Sequence, residues 1–255
     1  MAATSHFDTW VQRTRLAAGP AGTPRLRLFC LPYAGGGASI YRLWPDELPD
    51  DLEVCAIQLP GRESRLREPT FTAVAPLVRE LARALLPELS LPFALVGHSM
   101  GALIAFELVR LLRREHGLSP VYLFVSARRA PQLPSLDAPI HLLPQPAFVD
   151  HLLRRYNGIP QAVLREPELM EIFLPTLRAD FTVIETYRYA ADEPLGCPIT
   201  AFGGLQDDLV TRSELAGWQE QTRAAFDLHM FPGTHFFLHQ QRPSMLRIVA
   251  GHLTG

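Results

Sequence analysis

The fold is decided by the stretch Phe93-Ala94-Leu95-Val96-Gly97-His98-Ser99-Met100-Gly101-Ala102, where an apolar run passes through a glycine-serine turn into an amphipathic segment. Residues 93–96 predict a buried strand, and residues 100–114 have apolar side chains at helical spacing before Gly117, a predicted C-cap. In this G-x-S-x-G pattern the glycines let strand and helix approach closely and expose the serine hydroxyl. The stretch therefore predicts a strand-turn-helix unit with Ser99 as nucleophile; a packed turn without chemistry is the alternative.

Similar apolar runs recur along the chain, at residues 26–31, 54–59, 121–125, 199–202 and 226–231. Continuous apolar strands suit a sheet that is covered on both faces. Amphipathic stretches such as residues 74–86 lie between the runs. The alternation predicts an α/β fold with a mainly parallel sheet and helices on both faces.

The alternation stops between about residues 137 and 189, where helical spacing occurs three times, around residues 146–156, 166–173 and 174–187. No convincing strand separates these segments, and neither flank is a Gly/Ser linker. We therefore expect a single domain over residues 1–255, with a helical lid at residues 137–189 inserted above the carboxyl edge of the sheet.

Composition excludes several classes of protein. A chain of 255 residues with 47% hydrophobic and 20% charged residues has enough apolar surface for one packed core and is not largely disordered. The net charge of −2 provides no general attraction to nucleic acid or to an anionic membrane. All 24 basic residues are arginine, so lysine Schiff-base chemistry is excluded.

Nothing in the sequence predicts export or a membrane span. Residues 1–15 contain no apolar stretch behind a basic start, and the uncharged run 89–106 is interrupted by Pro92 and several glycines. The three cysteines, Cys30, Cys55 and Cys197, are widely spaced among apolar neighbours and are expected to be buried thiols. We expect a cytoplasmic protein.

A serine nucleophile needs a base, and His235 is the best-placed histidine. It follows the last predicted strand and precedes the C-terminal helix, whereas His98 is turned away around the sharp turn. His235 and His239 form an i,i+4 pair that could suggest zinc. However, Phe236 stands where H-E-x-x-H has its glutamate, and no third ligand is evident. We predict neither a metal nor a cofactor.

The base needs a carboxylate to orient it, and Asp207 and Asp208 follow the strand at residues 199–202. The order serine, aspartate, histidine is that of an α/β-hydrolase. We prefer Asp207 because the acid usually sits just past the turn. Asp208 remains the alternative, with a solvated or helix-capping carboxylate as its other explanation.

Two backbone N–H groups are expected to hold the oxyanion. Met100 begins the helix after the nucleophile, where the N–H and the helix dipole meet developing negative charge. Ala34 lies in the loop Leu31-Pro32-Tyr33-Ala34-Gly35-Gly36-Gly37, whose glycines permit close approach to substrate. A phosphate loop is the other explanation, but G-x-G-x-x-G spacing and a lysine are lacking. We expect Tyr33 and Phe236 to contact the substrate.

With these residues assembled, the chain resembles the stand-alone type II thioesterases of polyketide and non-ribosomal peptide synthases over nearly its whole length. The matching segments are Leu31-Pro32-Tyr33-Ala34-Gly35-Gly36, Gln58-Leu59-Pro60-Gly61-Arg62, Gly97-His98-Ser99-Met100-Gly101, Ser126-Ala127-Arg128-Arg129-Ala130-Pro131 and Gly233-Thr234-His235-Phe236-Phe237-Leu238. There are two departures: Asp208 stands where the family often has proline, and Gly233-Thr234-His235 replaces the usual Gly-Gly-His.

The resemblance implies an α/β-hydrolase fold with a helical lid. It also implies a triad of Ser99, Asp207 and His235 with oxyanion donors at Ala34 and Met100. Members of this family remove stalled or mis-primed acyl groups from the phosphopantetheine arm of carrier proteins, so the expected substrate is an acyl or peptidyl carrier protein.

A carrier protein is generally acidic, which makes several arginines candidates to contact it, with a solvated surface as the alternative. These candidates are Arg62, Arg65, Arg67, Arg128 and Arg129. We expect a monomer that binds neither nucleic acid nor membrane. Two other functions are kept open: a small-molecule carboxylesterase or lipase of the same fold, and a catalytically dead module that binds acyl carriers.

Overall fold

The computed structural model describes residues 5–13, 24–135, 137–155 and 166–254. Residues 156–165 of the predicted lid lie outside these ranges, as do residues 1–4 and 14–15 of the N-terminal stretch read for export signals. Among the described residues, no helix combines the length and the apolar character that crossing a membrane requires.

Within the described residues, seven strands form one sheet. The strands are β1 (Val11–Arg13), β2 (Leu26–Leu31), β3 (Leu52–Ile57), β4 (Phe93–His98), β5 (Tyr122–Ser126), β6 (Ile199–Gly204) and β7 (Phe226–Phe231). Their order is β1-β3-β2-β4-β5-β6-β7, and every neighbouring pair is parallel except β1 with β3. The predicted mainly parallel α/β sheet is confirmed, with β1 added at one edge.

Helices cover both faces of the sheet. They are α1 (His6–Trp10), α2 (Val74–Leu85), α3 (Met100–His116), α4 (Gln145–Arg155), α5 (Pro167–Thr186), α6 (Arg212–Ala216), α7 (Phe237–Gln240) and α8 (Arg242–Leu253). Because side chains alternate along a strand, Phe29 of β2 joins the core formed with α2 and α3, whereas Leu28 joins the core formed with α8. The predicted C-cap is present, since Gly117 ends α3 with φ +65°.

The segment at residues 137–189 has its own small apolar cluster. Phe148 and Leu152 of α4 pack with Leu177 and Phe181 of α5. The predicted segments 166–173 and 174–187 are one helix, α5, which continues through Pro175. Proline removes one backbone hydrogen bond, but the apolar side chains on both sides of it are buried together, and this packing outweighs the local preference.

The turn between β4 and α3 holds Ser99 at φ 53° and ψ −111°, a conformation that non-glycine residues rarely adopt. Two glycines make room for it. A Cβ on Gly97 would lie 2.2 Å from the carbonyl oxygen of Gly101, and a Cβ on Gly101 would lie 2.1 Å from that of Leu31. The Ser99 N–H donates to the Ser126 carbonyl at 2.8 Å, which attaches the turn to β5.

We expect Gly101→Ala to destabilise the chain by about 3 kcal/mol or more, because backbone atoms of Leu31 occupy the space that the new methyl group needs. Gly251→Ala is the matched control: it also lies in a helix, but a Cβ there meets nothing within 4 Å. In that open position alanine should stabilise the helix by up to about 1 kcal/mol. Urea unfolding measures both values, and wild-type stability of Gly101→Ala would contradict the account.

Candidate active site

The structure brings the predicted nucleophile, base and acid into one hydrogen-bonded row at the carboxyl edge of the sheet. His235 Nε2 lies 3.0 Å from Ser99 Oγ, and His235 Nδ1 lies 2.9 Å from Asp207 Oδ2. A carboxylate only accepts hydrogen bonds, so Nδ1 carries the proton and Nε2 is left to accept from the serine hydroxyl. The row therefore has the polarity that proton removal from Ser99 requires.

The acid is held by its own loop. Asp207 follows β6, its side chain is fully buried, and its Oδ1 accepts from the Leu209 N–H at 2.9 Å. Asp208 is exposed. Between the two predicted alternatives, Asp207 is the one in contact with the histidine.

The acid loop and the base loop are joined directly by two hydrogen bonds, one between backbone groups and one to a side chain. The Gln206 N–H donates to the Gly233 carbonyl at 3.0 Å, and the Gly233 N–H donates to Gln206 Oε1 at 2.6 Å. Gly204 permits this approach, because a Cβ there would lie 2.5 Å from the Gly233 carbonyl oxygen. The position of His235 relative to Asp207 is therefore fixed by the backbone as well as by their own hydrogen bond.

His98 stabilises the position of the base through a hydrogen bond to its backbone carbonyl. Its Nε2 lies 2.8 Å from the His235 carbonyl oxygen, and its Nδ1 lies 2.9 Å from Ser126 Oγ. The carbonyl only accepts, so Nε2 carries the proton and Nδ1 accepts from the Ser126 hydroxyl. Burial, and secondarily the charge of nearby His235, hold the pKa of His98 well below its usual range. His98 thus points away from the Ser99 hydroxyl, as predicted, but it is part of the site.

The two predicted oxyanion donors belong to different segments, one at the start of α3 and one in the loop after β2. Met100 is the first residue of α3, and Ser99 provides no side-chain cap there, so the first N–H groups of the helix are left to face a ligand. The Met100 side chain is buried in the core beneath the turn. Ala34 lines the same cavity as Ser99, in the loop after β2.

A cavity of about 540 Å³ opens beside the triad and contains both predicted substrate contacts, Tyr33 and Phe236. Their rings pack edge to face with centroids 5.0 Å apart. Helices α4 and α5 contribute an apolar wall to the cavity, formed by Leu152, Leu177, Phe181 and Ile184. The Tyr33 hydroxyl lies 3.0 Å from His239 Nε2, and burial raises the pKa of Tyr33 to about 12.

Two of the five arginines that were candidates for carrier contact are internal. Arg62 is buried against Asp180, and Arg65 is buried, with hydrogen bonds to Glu68 and to the Gln58 carbonyl. Neither is available to a partner, so the prediction is wrong for both. Arg67 is exposed.

Arg128 and Arg129 are partly exposed, and both line the cavity. Arg129 also lies within ion-pair distance of Asp137 and Glu214. Both therefore stay candidates for contact with a bound anion.

The described residues contain no cluster of three potential metal-ligating side chains. His239, the other half of the i,i+4 pair, contacts Tyr33 instead of sharing a site with His235. Cys30, Cys55 and Cys197 are free and buried, as predicted, and burial raises the pKa of the Cys197 thiol to about 11.

Sequence reasoning did not find two contributors to the site: Ser126, which orients His98, and Asp180 of α5, which accepts from the Gly35 N–H in the loop that carries Ala34. Both act through contacts between residues far apart in sequence. The available signals were the family-matching segment that begins at Ser126 and an aspartate on the apolar helix α5.

Comparison with known proteins gives a consistent result. A family model described as a thioesterase domain matches residues 26–253. The chain is 47% identical to the gramicidin S biosynthesis protein GrsT of Aneurinibacillus migulanus, over 97% of this chain and 96% of that protein.

Two solved structures share both fold and sequence with the chain. The type II thioesterase BorB from the borrelidin biosynthetic cluster superposes with a TM-score of 0.85 and 36% identity, covering 97% of each chain. The RedJ thioesterase from the prodiginine biosynthetic pathway of Streptomyces coelicolor gives a TM-score of 0.85 and 37% identity, over 92% of this chain and 94% of that one.

The lowered pKa of His98 predicts a pH dependence of stability. Below about pH 6.5 the unfolded chain binds a proton at His98 that the folded chain does not, so stability falls as pH decreases. Between pH 6.5 and 5.5 this contributes a loss of about 1 kcal/mol. Urea unfolding at several pH values should show a flatter dependence for His98→Gln, whereas the exposed control His116→Gln should keep the wild-type slope. Identical slopes for all three proteins would refute the assignment.

Proposed function

The chain belongs to the thioesterase family, and from this premise we propose that it is a serine hydrolase that removes acyl groups from the phosphopantetheine arm of carrier proteins. The strongest support is the row of hydrogen bonds from Ser99 through His235 to Asp207 beside an apolar cavity. The relatives named above belong to gramicidin S, borrelidin and prodiginine biosynthesis. By analogy, this enzyme clears aberrant or stalled acyl chains in polyketide or non-ribosomal peptide biosynthesis.

The first half of the reaction is acylation of Ser99. His235 Nε2 removes the hydroxyl proton as Oγ attacks the thioester carbonyl carbon, giving a tetrahedral intermediate. When the carbon–sulfur bond breaks, the proton on His235 passes to the departing pantetheine sulfur. Asp207 holds the Nδ1 proton throughout and stabilises the imidazolium, because its carboxylate is buried and correctly oriented.

The second half is hydrolysis of the acyl-enzyme. His235 takes a proton from water as the water oxygen attacks the ester carbonyl, and returns it to Ser99 Oγ when the carboxylic acid leaves. In both halves the N–H groups of Ala34 and Met100 donate to the negatively charged oxygen. Each such donor is worth roughly 10²- to 10³-fold in kcat.

Helices α4 and α5 serve as the lid in this proposal, within one domain that spans the chain. Leu152 of α4 and Phe181 of α5 face the cavity and provide an apolar environment for the acyl chain. We propose that the enzyme acts as a cytoplasmic monomer on an acidic carrier protein, and that Arg128 and Arg129, which both line the cavity, contact the phosphate of the arm.

Hydrolysis of hexanoyl groups presented in three ways tests the proposed activity: on a holo-carrier protein, on free pantetheine and on an aryl alcohol. We expect kcat/KM to be highest for the carrier-bound thioester, because only that substrate offers both the arm and the protein surface. Ser99→Ala should lower every rate by about 10⁴-fold or more while remaining folded.

A higher kcat/KM for the aryl ester than for both thioesters would favour the carboxylesterase alternative. Carrier binding with no Ser99-dependent turnover of any substrate would favour the binding module.

The role of the acid is tested by Asp207→Asn with Asp208→Asn as its matched control. Asparagine at 207 cannot hold the Nδ1 proton in the same way, so we expect kcat to fall about 10³-fold or more with little change in KM. Asp208→Asn should keep wild-type kcat because that carboxylate is exposed, although it follows the acid directly in sequence. Steady-state kinetics decides the matter, and the reverse order of effects would make Asp208 the acid.

A further inference from the structure

The loop that carries Ala34 packs against helix α5 as well as against the sheet. The Gly35 N–H donates to Asp180 Oδ2 at 2.7 Å. Gly35 has φ +77°, and a Cβ there would lie 2.8 Å from the ring of Phe173 and 3.1 Å from Leu177 Cδ1. Phe173, Leu177 and Asp180 are spaced by four and three residues, so one face of α5 lies on this loop.

The carboxylate that accepts from Gly35 is itself fixed by Arg62. Arg62 Nη1 lies 2.6 Å from Asp180 Oδ2, and Nη2 lies 2.8 Å from Oδ1, a bidentate pair in which both residues are buried. The same guanidinium also donates to the Gly36 carbonyl at 3.3 Å. Asp180 and Arg62 therefore hold two peptide groups of this loop, Ala34–Gly35 through its N–H and Gly36–Gly37 through its carbonyl.

These hydrogen bonds of Asp180 and Arg62 fix the geometry of an oxyanion donor. The Ala34 N–H and the Gly35 N–H belong to successive peptide planes, so fixing the second limits rotation of the first. A hydrogen bond to a charged acceptor is shorter and stronger than a neutral one, and it restricts that plane more tightly. Oxyanion donors are effective only when they are held in place before the charge develops.

We propose that Asp180 is a positioning residue for the oxyanion hole, acting through the Gly35 N–H, so that efficient turnover requires α5 docked on the loop. The inference rests on the proposed function in one respect: it takes the Ala34 N–H as an oxyanion donor. Since α5 also lines the cavity through Leu177 and Phe181, displacement of this helix opens the cavity and releases the donor loop together. The enzyme is then catalytically competent only while α5 lies on the cavity and on the loop that carries Ala34.

A purely structural ion pair is the competing explanation, and a double substitution separates the two. Arg62→Met combined with Asp180→Leu removes both buried charges, which cores often tolerate, but it also removes the acceptor for the Gly35 N–H. The matched control is Arg27→Met combined with Glu53→Leu. That pair is also buried, with Arg27 Nε 2.6 Å from Glu53 Oε2, but it lies at the amino ends of β2 and β3, away from the site.

The measurements are kcat and KM for hexanoyl-pantetheine, and the affinities of hexylboronic acid and hexanoate. The boronate forms a tetrahedral adduct with Ser99 that needs the oxyanion hole, whereas hexanoate reports binding in the cavity. We expect the Arg62/Asp180 double variant to lose at least tenfold in kcat and in boronate affinity, with KM and hexanoate affinity within threefold of wild type. The control pair should keep both kcat and boronate affinity.

Single variants provide a second reading if the double variant does not fold. Asp180→Asn keeps an oxygen acceptor for the Gly35 N–H, so it should retain a higher kcat than Asp180→Ala, each assayed below its unfolding temperature. Wild-type kcat in Asp180→Ala, or equal proportional losses in the two double variants, would overturn the proposal. If Ser99→Ala remained active, the proposed function itself would fail; Ser99-dependent activity that is insensitive to Asp180 would refute only this inference.

Discussion

The turn at Ser99 is the constraint on which the other parts of the site depend. A serine at φ 53° and ψ −111° carries roughly 1–3 kcal/mol of backbone strain, which only the surrounding structure maintains. The contact that accommodates it places Gly101 against the carbonyl of Leu31 at the end of β2. Because the loop with Ala34 starts at that carbonyl, the same contact sets the distance between the nucleophile and the predicted oxyanion donor. A shift of α3 relative to β2 would displace both.

The other half of the site depends on a second set of backbone contacts. The acid loop and the base loop meet at Gly204 and Gly233, while His98 binds the carbonyl of His235 from the nucleophile turn. His235 is thus held by His98 at the end of β4 and by the loop that carries Asp207. Since β4, β6 and β7 run parallel in one sheet, their carboxyl ends lie at one edge, and short loops are sufficient to bring the residues together.

Much of this was predictable because the informative patterns are local. The strand-turn-helix pattern around Ser99, and the positions of Asp207 and His235 after strands, require only sequence spacing. What the sequence did not predict depends on contacts between distant residues. Arg62 and Asp180 are more than a hundred positions apart, and an arginine in the loop after β3 gives no local sign of this pairing. Strand β1 has three residues and no apolar run, so it is defined by its pairing with β3 alone.

The complete replacement of lysine by arginine illustrates the same limit. The family resemblance made five arginines candidates for contact with an acidic partner, but the structure places two of them, Arg62 and Arg65, inside the chain. Arg62 donates to both oxygens of Asp180 and to the carbonyls of Gly36 and Pro60, which uses four of the five N–H donors of its planar fork. An ammonium group has three donors and no such plane, so it could not join a carboxylate and two separate loops in this way. At this position the choice of arginine follows from the geometry around the loop that carries Ala34 and carries no information about a docking surface.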